Sequence, residues 1–397
     1  MSTYHFVQPL DVLMIRGNKA FGGDGQHGEA VMPPWPSLFA GAFRSALLGR
    51  DARQLSDFTH GERPAGELGA VLGSRDEPGS FSIRWLSLAM LAPLPSTAGS
   101  ARSVDHPAAS PSPLVPLPAD LVAFDDARVP ALVALHPTQP VAGSSASGEL
   151  PLVARLRLSR QIKPQAGRWL DGDGLSAHLL GQTPARTLPG SDLFRRETRL
   201  GIALDSGSRT AADGALYTSE AITFADRTGF LVGCDGDGGQ LPTAGQLRLG
   251  GDGKGARYRR VSFADPPAPL AAIDLSRRFR IILATPSIFT QGWLPERVTR
   301  HGPGDYRLQG EGFAARLACA AVARFDIISG WDLARQQPKT AQRVAPAGSV
   351  YWFDRLTGDP GKLAEWIAGG CWGDNPDHQR RAEGFNRAWL ADWRDAP

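Results

Sequence analysis

The segment Pro266-Pro267-Ala268-Pro269 breaks the chain in two. Proline fixes φ and has no N–H to donate, so neither a helix interior nor an inner strand continues through three prolines in four residues. A pattern of strands and helices starts on each side of the break. On the first side, Tyr4–Ile15 puts Tyr4, Phe6, Leu10, Val12 and Met14 on one face at period two, interrupted at Gln8 and Pro9, which predicts a strand. Ser37–Leu48 follows as a helix, with Leu38, Phe39, Ala42, Phe43, Ala46 and Leu47 at spacings of three and four and Ser37 as the expected cap. Gly41 costs that helix about 1 kcal/mol relative to alanine, and close approach of another backbone is the expected compensation. Phe81–Leu91, Leu152–Ile162, Ser219–Gly233 and Arg257–Phe263 read as strands, and Asp173–Leu180 and Gln240–Leu247 as short helices, the first capped by Asp173.

Past the prolines, Phe279–Phe289 and Gly348–Phe353 read as strands, and Phe313–Ile328 is long and apolar. Asp359-Pro360 opens a helix with Asp as N-cap and Pro at the first position, and Gly369 closes it. The 46 glycines and 32 prolines make up about a fifth of the 397 residues, so the elements are short and the loops many. Pro93–Pro118 and Pro140–Pro151 are Pro/Ser/Ala-rich loops. With about 93–218 treated as inserted, the order is strand–helix–strand–strand–helix–strand, and a degenerate second copy follows. The expectation is an α+β chain of two ferredoxin-like (RRM-like) domains with long loop insertions, one over 1–265 and one over 270–397.

Several chemistries lack their residues. The cysteines Cys234, Cys319 and Cys371 are far apart and odd in number, which argues against a disulfide framework or a cysteine zinc site. The eight histidines are scattered, with no zinc-ligand spacing. There is no Gly-x-Ser-x-Gly elbow. Gly251-Asp-Gly-Lys-Gly-Ala256 fits a dinucleotide fingerprint formally, but a strand-like run follows where a helix is required. Gly-Gly-Asp-Gly occurs at 22–25 and 250–253, without the paired carboxylates that hold metal ions in a cyclase palm. No catalytic residue, metal or cofactor is therefore expected. No apolar run approaches the roughly 18 residues that span a bilayer, and Met1–Gly17 has no basic stretch leading into an apolar core. The expectation is a cytoplasmic protein without a membrane partner.

Of the 43 basic residues five are lysine and the rest arginine. Arginine suits phosphate recognition, and codon bias in a GC-rich genome produces the same excess. Two glycine-rich loops carry cations. In the first, Arg16 and Lys19 are placed to pair with phosphates, Asn18 to bond a sugar or base, and Phe21 to stack, while Gly22 and Gly23 let backbone amides come close. In the second, Gly250, Gly251 and Lys254 precede Arg257, Arg259 and Arg260. Flexible turns with solvated charges are the competing reading of both loops. No RNP1 motif is present, so RNA would be held by loops rather than by aromatics on a sheet.

These motifs resemble one family. The stretches are PLDVLMIRGNKAFGG (9–23), MPPWPSLFAGAFRSALL (32–48), RETRLGIALD (196–205), DGALYTSEAI (213–222), GQLRLGG (245–251), ATPSIFTQGWLP (284–295) and ISGWDLARQQPKTAQRVAPAGSVYWF (328–353). In that order they are similar to the third subunit of the Cmr effector module of type III-B CRISPR, of the RAMP superfamily. The resemblance implies two ferredoxin-like domains and a non-catalytic, crRNA-binding role in an RNA-guided interference complex. It further implies capping of the crRNA 5′ repeat-derived tag and docking of the large polymerase/cyclase-like subunit onto the backbone RAMP subunits, to which target RNA cleavage belongs, so that target RNA is an indirect partner. The glycine-rich loop departs from the family pattern, being interrupted by Asp252 with its basic run reduced to Lys254 and then Arg257. Arg16, Asn18, Lys19 and Phe21 are expected on the tag, with Gly22, Gly23, Gly250, Gly251, Lys254 and Arg257 lining the same cleft. Lys339 and Arg343 are further RNA candidates. Arg44 either joins them or braces the core. Trp293 and Trp331 are expected as fold anchors or subunit contacts. The alternative is a metal-independent CRISPR-type endoribonuclease, with His27 as general acid or base and Lys19 stabilising charge. A protein-only scaffold is a third reading.

Overall fold

The computed structural model describes residues 2–15, 17, 27–28, 30–92, 110–141, 149–158, 160–204, 207–208, 210–332 and 335–393. The chain divides into two compact units. One comprises Met1–Pro113, Ser191–Phe263 and Ile328–Ala341, the other Leu114–Gly190, Ala264–Ile327 and Gln342–Pro397. The fold is mixed helix and sheet, and the large sheets are antiparallel.

In the first unit the strands are β1 (Thr3–Pro9), β2 (Ser82–Leu91), β3 (Phe194–Leu204), β4 (Ala211–Phe224), β5 (Thr228–Asp235), β6 (Ala244–Arg248) and β7 (Gly255–Val261). The helices are α1 (Pro36–Leu48), α2 (Ala52–Thr59) and α3 (Gly66–Leu72). Within this unit five neighbouring strands of an eight-stranded sheet lie in the order β2-β5-β1-β7-β6. Numbered by connection with the edge hairpin strand β6 left out, β2, β5, β1 and β7 lie in the order 2-3-1-4, with α1 to α3 between the first strand and the second. Phe39 of α1 packs on Phe230 with ring centroids 4.9 Å apart, and Phe43 lies 5.4 Å from Tyr258 and 5.5 Å from His5. That face of the sheet is the core, with Phe39, Phe43, Phe230, Val7 and His5 buried. β3 and β4 form a separate long hairpin, an arm, joined by the short strand His27–Gly28 running parallel to β4.

Five expectations change here. β1 ends at Pro9, and Leu13 pairs instead with Ile222 on the arm, its N–H and C=O each 2.8 Å from their partners. Ser37 does not cap α1; Trp35 is the N-cap, with no side-chain cap, and Pro36 stands at the first position, where a missing N–H is harmless. Gly41 is exposed and a Cβ there would meet nothing within 4 Å, so no backbone approach compensates it. Gln240–Leu247 is not a helix. Ala244–Arg248 is strand β6, in which Gln246 and Arg248 are exposed and Leu247 buried, at period two. Gly245 lies over Tyr258, where a Cβ would stand 2.8 Å from the ring. The run Ser219–Gly233 is also broken, into β4 and β5, at a turn where Arg227 has φ 61°.

The second unit contains α4 (Gly172–Leu179), α5 (Leu270–Ser276), β8 (Phe279–Leu283), β9 (Val298–Gly302), β10 (Asp305–Gly310), β11 (Phe313–Ala321), β12 (Val350–Gly358), α6 (Pro360–Ala368), α7 (His378–Glu383) and β13 (Ala388–Asp392). Its sheet runs β9-β10-β11-β12-β8-β13. Counted by connection from β8 through β11, β12 and β13, the order 2-3-1-4 recurs. Here the hairpin β9–β10 replaces a first helix, and α6 fills the second crossover. Asp359 caps α6 by accepting from the Gly361 N–H at 2.7 Å, and Gly369 ends it, as the sequence predicts. Ile273 of α5, Leu363 and Ile367 of α6, and Phe279, Ile281, Leu317 and Phe353 of the sheet make one buried cluster.

α4 is capped by Asp171, not Asp173, because the Asp171 carboxylate reaches the Gly174 N–H at 2.8 Å. Of Leu152–Ile162, Val153–Arg155 is strand, and Phe279–Phe289 is strand as far as Leu283. In this unit Asp120, His178 and Arg280 are buried together. The His178 Nε2–H donates to Asp120 at 2.9 Å, and Arg280 bonds Asp120, the His178 carbonyl at 2.7 Å and the Asp392 carbonyl at 2.9 Å. Burial pushes the Asp120 carboxyl up, but His178 and Arg280 outweigh it and hold the carboxyl below its ordinary range.

Candidate nucleic-acid interface

The glycine-rich turn between β6 and β7 is built by backbone. The Leu249 N–H donates to the Lys254 carbonyl at 2.8 Å and the Lys254 N–H to the Gly251 carbonyl at 3.2 Å. The Gly251 N–H donates to the Met14 carbonyl at 2.7 Å. Gly250 has φ +82°, and a Cβ on it would stand 2.5 Å from that same Met14 oxygen. Glycine at 250 is thus required by close packing of the turn on the segment that follows β1. Three of the turn's amides are engaged within the protein, which leaves the neighbouring cations to meet an anion.

Those cations differ in what they already hold. Lys254 Nζ is 2.8 Å from Asp11 Oδ2 and half-buried. Its hydrogen bond holds the Asp11 carboxyl below the ordinary range, with help from the Val12 N–H. The pair is close to neutral, so Lys254 must share or exchange Asp11 to reach a phosphate. Arg257 is exposed and donates through Nε and Nη2 to Gln8 Oε1 at 3.2 and 2.8 Å. An amide oxygen positions the guanidinium without cancelling its charge, so Arg257 is the stronger phosphate partner of the two.

The segment Val12–Ile15 that follows β1 is anchored, with Val12, Leu13 and Ile15 buried. Arg16, Asn18, Lys19, Phe21, Gly22 and Gly23 lie outside the described residues, as does the side chain of His27. Gly250, Gly251, Lys254 and Arg257 are therefore the members of the expected cleft that the structure brings together. Arg44 is half-buried on α1. Lys339 belongs to the first unit, where its N–H donates to the Gly330 carbonyl at 2.9 Å and its carbonyl accepts from Ser329 Oγ at 2.7 Å. Arg343 belongs to the second unit and lies 4.9 Å over the Phe325 ring. Trp293 is 37% exposed, and its carbonyl accepts from Tyr351 Oη at 2.6 Å. Trp331, 54% exposed, stands on a two-stranded hairpin with Gln337–Pro338.

Sequence reasoning did not single out the arm. Leu200, Ile202 and Leu204 are all exposed and fall on one face of β3, and their period-two spacing was the available signal. Among the described residues, no group of three or more His, Cys, Asp or Glu side chains is placed to hold a metal ion. No helix among them is long and apolar enough to cross a membrane.

Comparison with known proteins places the chain in a family. No curated protein matches the chain. Among solved structures it is similar to a chain of the type III-B Cmr-beta complex bound to cognate target RNA and AMPPnP, at 14% identity over 97% of this chain and 95% of that one, with TM-score 0.48. A chain of the same complex bound to cognate target RNA matches at 14% identity over 97% and 96%, with TM-score 0.46. The model of the family described as CRISPR-associated protein (Cas_Cmr3) matches residues 5–393. That span begins in β1 and ends one residue past β13, and the chain belongs to the Cas_Cmr3 family of CRISPR-associated proteins.

Proposed function

We propose that this chain is the third RAMP-superfamily subunit of a type III-B Cmr effector complex, and that it acts by binding crRNA rather than by catalysis. In this reading it caps the 5′ repeat-derived tag and docks the large polymerase/cyclase-like subunit onto the backbone of RAMP subunits, which engage target RNA. Each unit is a ferredoxin-like (RRM-like) domain. The family match over residues 5–393 carries the reading. The 2-3-1-4 strand order in both units supports the domain assignment. The cleft comprises the glycine turn with Lys254 and Arg257 and the loop bearing Arg16, Asn18, Lys19 and Phe21.

The test is purification of the native assembly from its host, with sequencing of bound RNA and mass spectrometry of one eluate. The expected eluate contains other RAMP subunits and small RNAs that share a repeat-derived 5′ end. An Arg16→Ala, Lys19→Ala double variant is expected to weaken tag binding and flatten its salt dependence. A protein that elutes alone and without RNA refutes the reading.

A further inference from the structure

β3 is the outer strand of the three-stranded arm, with β4 inside it and His27–Gly28 beyond. An outer strand offers a row of backbone N–H and C=O groups on its free side, and proteins usually guard such a row with lysine, proline or an inward-pointing charge. The last five residues of β3, Leu200-Gly-Ile-Ala-Leu204, contain none of these. Leu200, Ile202 and Leu204 are 68%, 47% and 61% exposed and share one face. The other face is filled by the arm's own tyrosine. Gly201 stands opposite Tyr217, and a Cβ on Gly201 would lie 2.4 Å from that ring. The irregularity in the β3–β4 ladder beyond Ile202 takes up extra residues on β4, so the free side of β3 stays extended.

These five residues read almost alike in both directions, with leucine at each end, a small residue next to it and isoleucine in the middle. That symmetry fits a second copy of the same strand. Antiparallel pairing about a two-fold axis through Ile202 sets Leu200 opposite Leu204 of the second copy and Ile202 opposite itself. A two-fold axis normal to the ribbon keeps the faces, so six aliphatic side chains fall on one side, where directly opposed pairs stabilise a sheet. Among antiparallel registers this is the one that sets each of the three apolar side chains against another. The residues that bound the run in sequence carry opposite charges, Arg199 before it and Asp205 after it, so an antiparallel copy matches them and a parallel copy does not. The contact is small, well short of the ~800 Å² per partner of a stable complex. Pairing is therefore reversible and grows with protein concentration.

We propose that the free chain pairs with a second copy of itself through the edge of β3, the two arms running antiparallel about Ile202 to make a four-stranded ribbon. The proposal goes beyond the function proposed above and does not rest on it, since it concerns the chain without RNA or other subunits.

The test is sedimentation velocity of the nuclease-treated full chain from ~1 µM to ~300 µM, where the average mass is expected to rise from that of one chain toward that of two. Ile202→Lys sets two like charges face to face on the axis and is expected to weaken pairing about tenfold or more. Leu275→Lys, at an exposed leucine of α5, is expected to leave it unchanged. Leu200→Lys and Leu204→Glu should each weaken pairing alone, and mixing the two proteins should restore it, because the register sets 200 against 204. The three native cysteines are buried, so Ile202→Cys under mild oxidation reports on the introduced thiol, and a covalent dimer is expected that Leu275→Cys does not form. The proposal is overturned if the parent stays a single chain at every concentration, or if Ile202→Lys and Leu275→Lys behave alike. It is equally overturned if the mixed pair shows no recovery, or if the dimer is present only before nuclease treatment, which would mark RNA as the bridge.

Discussion

Acid should loosen the first unit through one histidine, and the effect can be removed by one substitution. His5 on β1 is 0% exposed, and neither ring nitrogen has a hydrogen-bond partner among the described residues. Its ring lies 5.5 Å from Phe43 and 5.6 Å from Tyr258. Burial, with help from the Arg260 charge and against that of Asp237, lowers its pKa to about 4. The unfolded chain keeps a value of about 6.5. The folded value is the lower one, so the unfolded state takes up the proton first as pH falls. Stability is complete above about pH 6.5 and declines toward the folded value. The loss reaches about 1.4 kcal/mol at pH 5.5 and about 3 kcal/mol near pH 4. His5→Leu puts an apolar side chain of similar volume in its place and removes the titration. Because His178 stays in both proteins, the difference between parent and variant isolates His5. The assay is thermal unfolding of both at pH 7.5 and pH 5.5, followed by tryptophan fluorescence. The leucine variant should gain about 3–6 °C on the parent between the two conditions, at 2–4 °C per kcal/mol. Parallel pH profiles would show that His5 is protonated within the fold, and would refute the reasoning.

Two further outcomes follow from positions with opposite surroundings. Gly41→Ala adds a methyl to an exposed helix position with nothing within 4 Å, and should stabilise the first unit by about 0.5–1 kcal/mol in a denaturant melt. Arg280→Met leaves the Asp120 carboxylate buried without its guanidinium, and should cost about 3–5 kcal/mol. Adding Asp120→Asn should recover part of that loss in the same melt.

How much was legible in the sequence depended on how local the signal was. The helix from Asp359 to Gly369 could be read directly, because cap, first-turn proline and closing glycine lie within eleven residues. β6 could not, because five residues do not separate period two from period 3.6. β4 and β5 read as one run because Arg227, a residue with no preference for positive φ, makes the turn between them. Long-range pairing was invisible. Lys254 was legible as a cation, but its carboxylate partner Asp11 lies 243 residues away. The same holds for Asp120 and Arg280, 160 residues apart, whose pairing binds residues before the proline break to the sheet after it.

The arm, the entering segment and the glycine turn share one continuous run of backbone bonds. Ile222 at the arm's base exchanges two hydrogen bonds with Leu13, and the adjacent Met14 carbonyl receives the Gly251 N–H. Mechanically this is a linkage with little slack. A push on the arm that displaces Ile222 must either break the pair with Leu13 or carry the strand-like segment with it. In the second case the turn that presents Lys254 moves too, and with it the start of β7, which carries Arg257.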